Sequence, residues 1–300
     1  MQTFYSRGKL LITSEYLILK GAKGLAIPCK KGQFLDFKRN DSKYLKWESY
    51  DYNNKIWFEA ILDCENFNCL RSNKISIAKS LSFILKETRK LNPKFLSNNG
   101  GHIKTRLEFD LYWGLGSSSS LISNLAKLNN VNPYTLLSRT FGGSGYDIAC
   151  SLAKGPIIYE IKNNIYNEIT FDPPFKEKLF FVYLNKKQNS KIEVDRFKNI
   201  KVDKETIKSI NSITEIISKT KNYDEFNFLI KKHEKIISNL INKTCVKNLK
   251  FKDFKGEIKS LGAWGGDFIL ASGINSPSYF ESKGYKTIVK FDDMIYRKES

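Results

Sequence analysis

The sequence predicts an α+β fold in two domains. Three observations lead there. Strand-like and helix-like stretches are mixed in both halves of the chain. A period-two stretch at 106–113 runs through Gly114-Leu115-Gly116 into four serines and a helical apolar pattern. The pair Pro173-Pro174 then separates two segments, each with its own apolar pattern. Consecutive prolines suit a boundary because proline fixes φ and cannot continue an element. The expected domains are 1–172 and 175–300.

The elements follow in order. Residues 8–38 read as strands and turns: Gly8 to Ile12 and Tyr16 to Leu19 are short apolar runs, punctuated by Lys20-Gly21 and Lys23-Gly24. Residues 40–60 read as aromatic strands around a hairpin tip at Asp51-Tyr52-Asn53-Asn54. Ile77, Leu81, Ile84 and Leu85 fall at helical spacing, which predicts a helix over 75–91 that stops before Pro93. Asn98-Asn99-Gly100-Gly101 reads as a turn. Leu107, Phe109, Leu111 and Trp113 alternate with polar residues, as a half-buried strand does. A strand-like stretch spans Gly155 to Phe171, and Leu179 to Leu184 reads as a buried strand. Two amphipathic helices follow, carrying Ile207 to Ile217 and Phe226 to Ile241. A glycine loop at 262–266 leads into the strand Phe268 to Ala271, and the last strand is Thr287 to Phe291.

Composition narrows the function. In 300 residues, 41% hydrophobic and 27% charged, there is enough apolar material for a core, which argues against disorder. No apolar run approaches the roughly 20 residues of a membrane span. The first residues lack the apolar stretch of a signal peptide, so the expected location is cytoplasmic. Five scattered cysteines do not form a disulfide framework, and with two histidines a zinc site has few partners. The net charge of +19 comes from lysines spread along the chain rather than from a block or tail. A nucleic-acid footprint requires clustering, so no nucleic-acid or membrane partner is expected. The same charge draws in ATP and phosphorylated metabolites.

Three segments carry chemistry. In the loop Gly114-Leu115-Gly116-Ser117-Ser118-Ser119-Ser120, glycines permit close backbone approach to a phosphate. The helix start supplies free N–H groups and the positive end of the dipole. The hydroxyls are further donors or Mg²⁺ ligands. A helix cap needs one serine, and here there are four. In Ser144-Gly145-Tyr146-Asp147, an acid follows a glycine segment and enters the apolar Ile148-Ala149. Such a carboxylate accepts or steers the proton of an attacking hydroxyl, although a helix-start aspartate has the same pattern. Gly262-Ala263-Trp264-Gly265-Gly266-Asp267 is either a second anion loop or a tight turn.

Taken together and in this order, these segments resemble the GHMP kinase superfamily. Gly8-Lys9-Leu10-Leu11-Ile12-Thr13-Ser14-Glu15-Tyr16 looks like its first motif, and the 114–120 loop like its second, ATP-phosphate motif. Ser144-Gly145-Tyr146-Asp147 is similar to the aspartate motif of the mevalonate and phosphomevalonate kinase branch. The 262–267 segment resembles the third motif. The resemblance runs from residue 8 to about 273. It implies an N-terminal α+β sandwich with a left-handed βαβ element, a ferredoxin-like C-terminal domain, and ATP held between them.

The resemblance also implies roles. Asp147 and Lys9 would be catalytic, with Lys9 pairing Asp147 and either keeping it ionised or lowering the pKa of the substrate hydroxyl. Residues 114–120 would hold ATP, and Ser117 and Ser118 would hold Mg²⁺. Glu15, Ser144, Gly145, Gly265 and Gly266 would lie on the acceptor side. The implied reaction moves the γ-phosphoryl of ATP to an alcohol or a phosphate monoester, with mevalonate or phosphomevalonate as expected acceptors. A diphosphomevalonate decarboxylase-like enzyme, a non-catalytic ATP-binding homologue and a basic nucleic-acid-binding protein are the alternatives. The sequence is compatible with a monomer or a homodimer. It departs from the family at Ser14 and Trp264, which replace glycines, and at Trp113. No Asp or Glu lies between Leu111 and Tyr146, where mevalonate kinase-like members have a metal-binding carboxylate.

Overall fold

The computed structural model describes residues 1–97, 99–187 and 190–298. They pack into two compact units, each assembled from separate stretches of chain. The first comprises 1–8, 31–111 and 116–152; the second comprises 9–30, 112–115 and 153–300. Pro173-Pro174 lies inside the second unit.

The first unit is a sheet with helices on one face. Its strands are residues 2–8 of β1 (Gln2–Leu11), residues 31–40 of β2 (Gly24–Asn40), β3 (Tyr44–Tyr50), β4 (Ile56–Asp63), β5 (Cys69–Ser72) and, after helix α1 (Ile75–Leu91), β6 (Gly100–Leu107); the rest of β1 and β2 belongs to the second unit. The order is β5-β4-β3-β6-β2, with β1 on β2. The β3–β6 pair is parallel, whereas β2–β6, β3–β4 and β4–β5 are antiparallel. Helices α2 (Ser117–Asn129), α3 (Pro133–Arg139) and α4 (Tyr146–Leu152) follow. One apolar core joins sheet and helices: Leu35, Trp47, Phe58 and Ile103 meet Leu81 and Leu85 of α1, Ile122 and Leu125 of α2, and Ile148 of α4.

The second unit contains β7 (Ile157–Glu160) and β8 (Ile165–Glu168), a hairpin paired with Gly24–Ala26 of β2. Next come β9 (Leu179–Tyr183), α5 (Ser190–Lys198), α6 (Lys204–Ile217), α7 (Tyr223–Ile241), α8 (Val246–Lys250), β10 (Glu257–Ser260), β11 (Phe268–Ser272), α9 (Ser276–Ser282), β12 (Ile288–Lys290) and α10 (Phe291–Met294). Four strands form an antiparallel sheet in the order β10-β11-β9-β12. Helices α6 and α7 begin at Asp203 and Asn222, whose side chains accept hydrogen bonds from first-turn backbone N–H groups. The mixed α+β class is the expected one. Among the described residues, no helix is long and apolar enough to cross a membrane.

Three local expectations are corrected. Leu17–Lys20 is a 3-10 turn rather than a strand, because Ser14 and Tyr16 adopt left-handed backbone (φ 70° and 61°) and reverse the chain. Of the turn expected at 98–101, Asn98 lies outside the described residues, and Gly100 and Gly101 open β6. A Cβ on Gly100 would lie 2.1 Å from the Tyr44 carbonyl oxygen, so only glycine fits this close strand pairing. The strand expected through Trp113 ends at Leu107. There the Glu108 carboxylate accepts from the Gly32 N–H (2.9 Å) and the Tyr5 hydroxyl (2.7 Å), and the chain leaves the sheet.

Candidate active site

In the first unit, α2 starts from Gly116 at φ 85°, a left-handed conformation that glycine adopts without steric cost. No side chain caps this end. The Ser120 N–H donates to the Gly116 carbonyl (3.0 Å) and closes the first helical turn. The N–H groups ahead of it point along the axis with the positive end of the dipole, as an anion requires.

The four serines divide into two pairs. Ser119 Oγ donates back to the Gly116 carbonyl (2.9 Å), and Ser120 Oγ donates to Gln33 Oε1 (2.8 Å); both residues are buried. Ser117 is half-buried and Ser118 exposed. The helix is fixed deeper in by Asn124, which donates to the Gln33 carbonyl and accepts from Ser6 Oγ. Ser117 and Ser118 are therefore the pair with hydroxyls available to a ligand, and Ser119 and Ser120 shape the loop.

Asp147 occupies the first turn of α4 and is partly exposed. It follows Gly142, Gly143 and Gly145, all at positive φ, with Ser144 buried between them. Ile148 anchors α4 in the core, and Ser151 Oγ meets Ser123 Oγ of α2 at 2.6 Å. These contacts seat the helix bearing Asp147 against the helix of the serine loop.

The second unit brings together Lys9, Gly114 and the 262–267 segment. The Lys9 N–H donates to the Leu115 carbonyl (3.0 Å), and its ammonium donates to the Gly114 carbonyl (3.4 Å). Gly114 sits at φ 67°, and a Cβ there would lie 2.6 Å from Asp267 Cγ. Residues 261–267 form the hairpin loop from β10 to β11, closed by the Leu261 N–H on the Phe268 carbonyl (3.1 Å). Gly265 is half-buried at φ 91°, and Gly266 is buried.

Glu15 is placed in the interior, 1% exposed, and not on an open acceptor surface. Its carboxylate pairs with Lys259, which also lies 3.3 Å from Glu234 Oε1. Glu234 in turn accepts from the Ser260 N–H (2.9 Å) and Ser260 Oγ (3.0 Å). His233 Nε2 accepts from the Ser14 N–H at 2.9 Å and stands 3.7 Å from the second Glu15 oxygen. Burial pushes the Glu15 carboxyl up to about 7, against the opposing pull of Lys259, and it pushes Glu234 up as well. Burial beside Lys259 holds His233 well below the usual imidazole range, so the ring is neutral. Lys259 and Glu234 escaped the sequence reading, because Glu234 lies in an amphipathic helical pattern and Lys259 in a polar run with no strand signal. The one signal was a lysine three residues ahead of the third glycine segment.

Among the described residues, no group of three or more His, Cys, Asp and Glu side chains is arranged to hold a metal ion. Magnesium tolerates such a setting, since it keeps waters and takes most of its remaining ligands from substrate phosphates. The hydroxyls of Ser117 and Ser118 are oxygen donors of the kind it accepts.

The chain shares its fold with solved small-molecule kinases. The chain superimposes over 96% of its length on 96% of the mevalonate kinase of Methanococcus jannaschii, with a TM-score of 0.67 at 18% identity. Against the phosphomevalonate kinase of Streptococcus pneumoniae, in complex with phosphomevalonate and AMPPNP, it covers 97% of its own length and 100% of that chain (TM-score 0.67, 16% identity). Against the galactokinase of Lactococcus lactis complexed with galactose, the values are 100% and 94% (TM-score 0.69, 13% identity). No protein-family model matches the sequence, and no curated protein matches it.

Proposed function

We propose that this chain is an ATP-dependent small-molecule kinase that transfers the γ-phosphoryl group to an alcohol or a phosphate monoester. The observation that carries the reading is the uncapped start of α2, with a left-handed glycine before it, Ser117 half-buried and Ser118 exposed. Solved kinases of this fold support it. Phosphoryl transfer needs little covalent chemistry from the protein, and positioning plus electrostatic stabilisation supply most of the catalysis. The α2 backbone N–H groups and Gly114 to Ser120 bind the ATP phosphates. Ser117 and Ser118 would hold a Mg²⁺ ion bound with ATP, which would supply positive charge to the phosphates. Asp147 orients the acceptor hydroxyl and takes its proton, and the Lys9 ammonium supplies positive potential. Ser144 and Gly145, next to Asp147, bind the acceptor from the first unit, and Gly265 and Gly266 are the candidate acceptor-binding residues of the second.

For the acceptor, we favour mevalonate or phosphomevalonate, on the Gly-Lys-Leu…Glu-Tyr form of residues 8–16 and the Gly-Gly-Asp form of residues 265–267. Similarly folded kinases act on unlike acceptors, galactose among them, so the test is a panel. ADP release with Mg²⁺-ATP is measured against mevalonate, phosphomevalonate, diphosphomevalonate, homoserine and sugars, with Asp147→Asn as control. Turnover of one acceptor, lost in Asp147→Asn, is the expected result. CO₂ release with diphosphomevalonate would reassign the chain to the decarboxylases. Nucleotide binding with no turnover of any acceptor would leave a non-catalytic homologue.

A further inference from the structure

The loop 261–267 is tied to the segment carrying Lys9 and Gly114 at three places, all inside the second unit. At its start, Lys259 of β10 is fully buried and pairs with Glu15, six residues beyond Lys9. At its middle, the Trp264 N–H donates to the Tyr16 hydroxyl at 3.0 Å. At its end, the Asp267 carboxylate lies against Gly114, whose carbonyl accepts from the Lys9 ammonium.

The Glu15 end is built at a cost to the backbone. Ser14 and Tyr16, on either side of Glu15, both adopt left-handed φ values that L-residues disfavour. Such strain persists only where surrounding structure over-determines it. Here the surroundings are the His233 ring accepting from the Ser14 N–H, Ser14 Oγ donating to the Lys23 carbonyl at 2.5 Å, and the buried pair itself. Lys259, Glu15, Glu234 and His233 are each 0–4% exposed on their side chains, so no solvent path makes them substrate ligands. A buried ion pair is weak evidence for stability, because desolvation offsets the Coulomb gain. Its geometric specificity is the better-founded benefit.

We infer that Glu15 and Lys259, with Tyr16, are positioning residues that set the third glycine loop against Lys9 and Gly114 for phosphoryl transfer. The inference rests on the kinase reading above. It changes the role of Glu15 from acceptor contact to alignment of the groups that make that contact. It also accounts for Trp264 in place of glycine. The indole packs in an apolar cluster with Tyr16, Leu17, Phe197 and Ile210, while its backbone N–H makes the central tie.

The test compares Lys259→Met, Lys259→Arg, Glu15→Gln and Tyr16→Phe with the wild type, at a temperature where circular dichroism reports each as folded. Two readouts are taken: steady-state kinetics with AMPPNP affinity, and amide hydrogen exchange. Misplacement of reacting groups by about 1 Å can cost about 100-fold in rate. Lys259→Met is therefore expected to lower kcat by about that factor with AMPPNP affinity held, and Lys259→Arg to recover part of it. The Trp264 and Ser260 amides, which donate to Tyr16 and Glu234, are expected to exchange at least tenfold faster in Lys259→Met, while β9 amides do not change. If Lys259→Met does not fold, Tyr16→Phe carries the test, because it removes the central tie without stranding a buried charge. Unchanged kcat together with unchanged Trp264 exchange in a folded variant overturns the inference, as does a kcat loss that merely follows the unfolded fraction. A wild type that turns over no acceptor would instead overturn the kinase reading, and the exchange readout would still decide whether the loop is tied as described.

Discussion

The carboxylate of Asp267 rests on the α-carbon of Gly114, so close that a Cβ at position 114 would stand 2.6 Å from Asp267 Cγ. Two residues 153 positions apart in the sequence (267 − 114) thus meet at a point where only hydrogen fits. Gly114 also needs left-handed φ, so the position is constrained twice.

Gly114→Ala is expected to lose about 1–2 kcal/mol from the left-handed backbone alone, with the overlap against Asp267 added. Calorimetry should show a lowered melting temperature, and nucleotide titration a weakened ATP affinity. Adding Asp267→Ala to Gly114→Ala removes the overlap but not the φ penalty, so it should restore part of the stability. A double variant no more stable than Gly114→Ala would mean that the contact is not the source of the loss.

The serines should separate by readout. Ser120→Ala removes the buried bond to Gln33 and should cost about 1 kcal/mol in urea unfolding, with smaller consequences for Mg²⁺-nucleotide binding. Ser118→Ala, at an exposed position, should leave unfolding unchanged and weaken Mg²⁺-ATP more than metal-free ATP. Equal effects of both substitutions on both measurements would refute the division.

Ser14 tests strain against hydrogen bonding. Ser14→Ala keeps the left-handed residue and loses the Oγ bond to the Lys23 carbonyl, for an expected loss of about 1 kcal/mol. Ser14→Gly loses the same bond but relieves φ 70°, a gain of about the same size. The glycine variant should therefore melt above the alanine variant and near the wild type.

Glu48 supplies a pH dependence. Burial raises its carboxyl, but hydrogen bonds from Lys46, Tyr50 and His102 outweigh this and hold it at about 2. A carboxylate depressed in the folded state contributes stability above its ordinary value of 4.5, and that stability is lost as pH falls toward 2. Melting curves between pH 6 and 2 should show the gap between wild type and Glu48→Gln closing over that interval. A gap independent of pH would mean that the carboxylate is not held by those partners.

Much of this molecule was legible locally. Helix α1 ends where the apolar spacing stops before Pro93, and α2, α6 and α7 follow the same rule. The phosphate-loop candidate was visible from its glycines and serines. The misreadings came where tertiary partners override local pattern. Period-two alternation past Leu107 did not make a strand, because Glu108 binds Gly32 and Tyr5 instead. The polar run Glu257-Ile258-Lys259-Ser260 did make one, β10, because it pairs with β11 and its lysine finds a buried carboxylate.

The sequence by itself determined the α+β class, the main helices and the three glycine segments with Lys9 and Asp147, since periodicity and turn chemistry act over a few residues. Only the tertiary structure decided that Ser119 and Ser120 turn inward while Ser117 and Ser118 do not, that Asp267 abuts Gly114, and that Glu15 is a buried partner of Lys259. The reason is separation along the chain: Ser120 finds Gln33 at 87 residues and Glu15 finds Lys259 at 244. A charged side chain declares itself as core or surface only once its distant partner is in place.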